Sequence, residues 1–118
     1  MTYVDAFLLP IPKKNVAAYR KIAQIASRVW RDHGALDYRE CIGDDLKIPP
    51  TLSFVGSAGA KKNEAVVFAY IVFKSRAHRD KVNKAVMADA RLAKMMTKKM
   101  PFDCLRMAYG GFKTLVAR

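Results

Sequence analysis

The sequence predicts an α+β domain in which one antiparallel sheet carries two long helices on a single face. Three observations lead there. The stretch Ala65–Phe73 is apolar at every position, and a strand with two oily faces must be covered on both. Residues 15–33 and 76–89 carry apolar side chains at three- and four-residue steps, the pattern of helices with one buried stripe. Extended segments alternate with them in the order strand, helix, strand, strand, helix, strand, the split βαβ arrangement of ferredoxin-like domains.

Tyr3 to Leu9 alternates loosely and stops at Pro10 and Pro12, which have no amide proton for a ladder, so it reads as strand one. From Asn15 to His33, the residues Val16, Tyr19, Ile22, Ala23, Ala26, Val29 and Trp30 fall on one stripe of helix one. Gly34 suits the left-handed position after it. In strand two, Leu36, Tyr38, Glu40 and Ile42 share one face, and Asp37, Arg39 and Cys41 share the other. Residues 43–63 read as an irregular connection with a short extended piece at Thr51 to Val55.

Strand three follows, and Ser75 is the N-cap of helix two. On that helix His78, Val82, Ala85, Val86 and Asp89 share a face, while Arg76, Arg79, Asp80, Lys81 and Lys84 are expected to point away. Asp89 caps a further helical piece through Met96, and Met100–Asp103 breaks it. Cys104 to Lys113 closes the chain as strand four, where Gly110–Gly111 signals a bulge or a close backbone approach. Right-handed crossovers place strands one and three centrally. Cys41 and Cys104 then lie about 14 Å apart across the sheet, beyond the ~7 Å reach of a disulfide, so reduced thiols are expected.

With 118 residues, 52% of them hydrophobic and 27% charged, the chain is expected to fold as one domain spanning 1–118. No apolar run approaches the ~20 residues that span a bilayer, and Met1–Asp5 has no signal-like start. A cytoplasmic protein without a membrane segment is expected. The net charge of +12 is the outlier. Residues 13–33 hold six basic residues against one acidic, residues 74–99 hold nine against two, and the remainder is balanced. The excess therefore sits on the helices, where it attracts polyanions nonspecifically and with strong salt dependence. A nucleic-acid-binding module using the helical layer is the alternative functional reading. Against it, Tyr19 and Trp30 lie on the buried stripe rather than among the charges, where bases would stack.

Two helices cover one face of a sheet, so the second oily face of strand three is expected to meet another copy of the chain, forming a homodimer by sheet stacking. Several segments also carry a resemblance. Tyr3-Val4-Asp5 with Phe7, Ala18-Tyr19-Arg20, His33-Gly34-Ala35-Leu36 and Glu40-Cys41 with Gly43-Asp44-Asp45 belong to it. So do Val66-Val67-Phe68, Met87-Ala88-Asp89 with Arg91, and above all Met100-Pro101-Phe102-Asp103 through Arg106-Met107 to Tyr109-Gly110-Gly111-Phe112. On these residues the chain resembles the YbaA-like family, small bacterial domains of unknown function in the dimeric α/β-barrel superfamily that includes antibiotic-biosynthesis monooxygenases. The resemblance implies a dimeric barrel and carries no established reaction. This chain departs from it in reading Asp89-Ala90-Arg91 where such proteins commonly read Asp-Pro-Arg, and in its high charge.

A two-subunit barrel leaves a pocket between each sheet and its helices, and pockets of this kind hold small apolar molecules. Trp30, Tyr38, His78, Met107 and Phe112 are the candidate ligand-binding residues, with Tyr3, Phe7 and His33 as further lining. Glu40 and Tyr109 are the candidate catalytic residues. A carboxylate among apolar neighbours suits proton transfer, and the two would handle protons in an enzyme of the cofactor-free oxygenase or isomerase kind. The structural alternative for Glu40 is an ion pair with Arg106 or Arg39, and Asp5 invites the same comparison. Two histidines without HxxxH or HxxE spacing predict no metal site, and Asp44–Asp45 read as turn residues. A structural or regulatory dimer without a ligand is the remaining class.

Overall fold

The computed structural model describes residues 1–118. Strands β1 (Tyr3–Pro12), β2 (Asp37–Ile42), β3 (Glu64–Phe73) and β4 (Ala108–Lys113) form one antiparallel sheet in the order β2-β3-β1-β4. Helices α1 (Val16–Asp32), α2 (Phe54–Ala58), α3 (Arg76–Met87) and α4 (Ala90–Met96) complete a mixed α+β fold. No helix is long and apolar enough to cross a membrane.

Register divides each strand between two faces, because successive side chains alternate. Tyr3, Leu9 and Ile11 of β1 and Val67, Ile71 and Phe73 of β3 turn inward, where Val29 of α1, Val82 and Val86 of α3 and Leu92 of α4 bury with them. Val4, Ala6 and Leu8 turn outward beside Val72, Tyr70 and Phe68. That outer face has little cover: Phe68 stays 43% exposed and Phe112, which pairs with Val4, 59%. The two long helices cover one face, as expected, but the other is covered at one end, where α2 and the connection before it lie against Leu8, Val66 and Phe68 and where Pro10 and Val66 are buried.

Local chemistry sets the element ends. Ser75 Oγ accepts from the His78 amide at 3.1 Å and the Asp89 carboxylate from the Arg91 amide at 2.8 Å, each capping its helix as its position predicts. Gly34 follows α1 with φ of 114°, and a Cβ there would press on the His78 ring at 3.3 Å. Two expectations need correction, and a third, left between a bulge and a close approach at Gly110–Gly111, resolves to the close approach. Thr51 to Val55 is no extended piece, because Ser53 caps α2 through the Val55 amide and left-handed Gly59 ends it. Cys104–Arg106 forms a 3-10 turn capped by Asp103 rather than the start of β4, since the Asp103 side chain captures the Leu105 amide at 2.9 Å. Gly110–Gly111 makes no bulge: β4 pairs with β1 in unbroken register, and Gly111 instead gives room to the Tyr3 ring, which lies where a Cβ would be. Cys41 and Cys104 are both exposed free thiols.

Arg106 straps the segment before β4 onto the start of β3. Its guanidinium donates to both Glu64 oxygens, at 2.7 and 2.8 Å, and to the Gly59 carbonyl at 2.7 Å. Arg106, helped by the Lys61 amide, holds the Glu64 carboxyl down from 4.5 to about 2. A carboxylate with a depressed folded-state pKa stabilises the fold above its unfolded pKa, and that contribution disappears as pH falls through the folded value. Urea midpoints are therefore expected to drop between pH 4.5 and about 2 in the wild type, with part of that drop missing in Glu64→Gln; identical profiles would refute the assignment.

Candidate functional site

Between the inner sheet face and the helices lies a cavity of about 350 Å³. It exists because small side chains meet there: Ala23 and Ala26 on α1 look across at Ala69 on β3. Aromatic and aliphatic groups fill the margins, including Phe7, Trp30, Ile71 and Phe102. On the side formed by α3, α4 and the segment leading to β4, sulfur dominates. Five of the six methionines line the cavity: Met87, Met95, Met96, Met100 and Met107.

Two polar clusters interrupt this apolar wall. At the β2 edge Glu40 accepts a hydrogen bond on each carboxylate oxygen, from the Tyr19 hydroxyl at 2.6 Å and the Tyr38 hydroxyl at 2.7 Å. Burial first, and the Glu40 charge second, push both phenols far above the ordinary tyrosine range, so they remain donors. Strand parity places Glu40 and Tyr38 on the same face, and the helical stripe delivers Tyr19 opposite them.

At the other side Asp5, 1% exposed, is the sole buried charged residue of the core. Its carboxylate accepts from Arg79 at 2.8 Å, from the Tyr109 hydroxyl at 3.0 Å and more distantly from Asn83 at 3.4 Å. Asn83 in turn accepts from the Trp30 indole at 3.0 Å. Arg79 also lies over the Tyr3 ring, 5.0 Å from its centroid, a cation–π arrangement that adds to the ion pair. Partial burial, and then Asp5, raises the Tyr109 phenol. No group of three or more His, Cys, Asp or Glu side chains assembles into a metal site.

Of the residues expected from sequence, Glu40, Tyr109, Trp30, Tyr38 and Met107 line this cavity, joined by Phe7 stacked on Tyr109 with centroids 4.8 Å apart. His78 and Phe112 do not. The Nδ1 of His78 accepts the Lys74 amide at 3.0 Å and its ring meets the edge of Phe73, which closes the helix start rather than opening to a ligand. Phe112 is three residues from Tyr109, so the alternation of β4 sends it to the outer face. His33 binds Asp89 at 2.8 Å, and Tyr3 belongs to the core. Glu40 has no ion pair: Arg39 turns outward to Asp37, and Arg106 is taken by Glu64.

Arg79 was expected on the solvent face of helix two, and this too is corrected. A buried carboxylate draws it in, leaving its side chain 14% exposed. Tyr19, Asn83 and, Met107 apart, the methionine wall went unmarked as site residues. The signal for Arg79 lay in Asp5, whose register with Tyr3 and Phe7 puts a charge on a buried face and so demands a cation. Substituting Asp5 by Ala removes the buried partner of that guanidinium and leaves it the exposed Asp80 carboxylate, 2.8 Å from its Nε, and the expected cost is about 1–3 kcal/mol in chemical denaturation. A loss under about 1 kcal/mol would mean the pair is not held as described.

A family model described as "Protein of unknown function (DUF1428)" matches residues 2–104. The chain is 37% identical over 116 residues to "Uncharacterized protein YbaA" of Escherichia coli (strain K12), with 98% of each chain covered. The same figures hold for the protein of that name in Shigella flexneri. Among solved structures, "De novo designed protein Foldit4" superposes with a TM-score of 0.50 at 10% identity, over 97% of this chain and 99% of that one, a likeness of fold alone. A family match that runs from β1 through Cys104, with 37% identity to YbaA over 98% of the chain, places the chain in the DUF1428 family.

Proposed function

We propose that this protein is a ferredoxin-like homodimer that binds a small, mainly apolar molecule in the cavity between its sheet and helices. The carrying observation is the gap left by Ala23, Ala26 and Ala69 beneath polar groups that already satisfy one another. An unfilled apolar void costs stability in proportion to its volume, and a gap of this size falls within the ~300–1,000 Å³ range of ligand pockets. An apolar guest removes that cost.

Register argues about the chemistry. Glu40, Ala69, Phe7 and Tyr109 form one row across the sheet, so Glu40 and Tyr109 stand roughly 14 Å apart at three strand spacings. Two groups so far apart do not serve as acid and base on one bond. Glu40 alone is the proton acceptor in any reaction of a cofactor-free oxygenase or isomerase kind. The Tyr109 cluster anchors the far side. The basic helices carry their Tyr19 and Trp30 rings toward the cavity, which leaves polyanion attraction to charge alone.

The outer face supports the dimer. Phe68, Phe112 and their neighbours form an apolar surface on β3, β1 and β4 that a second sheet would cover.

Two measurements test this reading. Titration with the uncharged fluorophore N-phenyl-1-naphthylamine is expected to saturate, and Ala26→Phe, which fills the gap, is expected to weaken it by at least about tenfold with an unchanged circular dichroism spectrum. No saturable binding in the wild type would refute the cavity's role. In sedimentation velocity at micromolar concentration the wild type is expected at twice the monomer mass and Phe68→Asp at the monomer mass. A monomeric wild type would remove the dimer.

A further inference from the structure

The Tyr19–Glu40–Tyr38 cluster has a second cavity behind it. An open cleft of about 480 Å³ lies between α1 and β2, and Arg20, Gln24 and Ser27 contribute to its helical side. These three occupy positions i, i+4 and i+7 of α1, one stripe beside the apolar one. Tyr19, Ala23, Tyr38 and Glu40 line both this cleft and the inner cavity. The shared wall is thus a hydrogen-bonded trio with one alanine in it.

The two spaces differ in chemistry. The inner one is apolar apart from its satisfied clusters. Among the residues that line the outer one, exposed Arg20 is the one cation, and it forms no ion pair with a carboxylate. Both phenols of the shared wall already donate to Glu40, so neither proton is free for an incoming anion. Arg20 is the charged donor left for one, beside the Gln24 amide, and the Glu40 charge keeps that anion at the Arg20 end of the cleft.

We propose that the two cavities form one bipartite site for an elongated amphiphile, whose aromatic or acyl body fills the inner cavity and whose carboxylate-like anionic group pairs with Arg20 in the outer cleft. The inference rests on the inner cavity being a binding site. The molecule crosses at Ala23, the smallest side chain of the shared wall, one helical turn from Tyr19.

A matched pair of fluorophores tests it. 1-Anilinonaphthalene-8-sulfonate and N-phenyl-1-naphthylamine have the same rings and differ in the sulfonate. The sulfonate is expected to bind the wild type about tenfold more tightly, and Arg20→Gln is expected to erase that advantage while leaving the neutral compound's affinity unchanged. Arg28→Gln removes the same charge from an exposed site on α1 and is expected to change neither. If the neutral compound binds and Arg20→Gln leaves the ratio of affinities intact, the bipartite site is overturned and the inner cavity stands. If neither compound binds the wild type, both readings fall.

Discussion

Everything in this molecule follows from the two-residue period of its central strands meeting a supply of helices sufficient for one face. On the inner side the alternation sends Tyr3, Leu9, Ile11, Val67, Ile71 and Phe73 into the core. On the outer side it leaves Phe68 and Phe112 exposed. The same period aligns Glu40, Ala69, Phe7 and Tyr109 in a row. A one-residue slip in β2 or β4 would turn the polar clusters out of the cavity altogether.

Buried polarity is handled differently at the two sides. Asp5 is paired with a cation, because a carboxylate so deep in the core has no water to lean on. Glu40 has no cation and is dressed by two phenols instead. The first arrangement ties α3 to the sheet across the layers. The second ties α1 to β2 through Tyr19 and leaves a carboxylate facing two cavities with its neighbours' protons already committed.

Much of this was legible in the sequence, and the reasons are specific. The unbroken apolar run of β3 announced a central strand, and its pairing on both sides agrees. Tyr38 and Glu40 shared a face by parity, and both line the cavity. Phe112 was misplaced although the same parity argument, applied from Tyr109, separates the two. Arg79 was misplaced because helical periodicity sorts residues by hydropathy, and an arginine recruited by a buried carboxylate looks solvated to that test. A pocket between sheet and helices was expected, but the residues that leave room for it were not marked: alanines on α1 and β3 read as ordinary core, and only the packed layers reveal that they face each other. The α2 cap at Ser53 and the 3-10 turn at Asp103 were hidden for another reason, being single side-chain hydrogen bonds in segments without periodicity.

The sulfur-rich wall gives the cavity a property that its opposite side lacks. The sheet floor is rigid, its atoms held by paired backbone, whereas an unbranched thioether turns about three bonds with little energetic preference among them. Met95, Met100 and Met107 can therefore repack along one side of the cavity while Glu40 and Asp5 keep their positions. In the binding role proposed above, selectivity resides in where the polar anchors sit, and tolerance resides in the methionines.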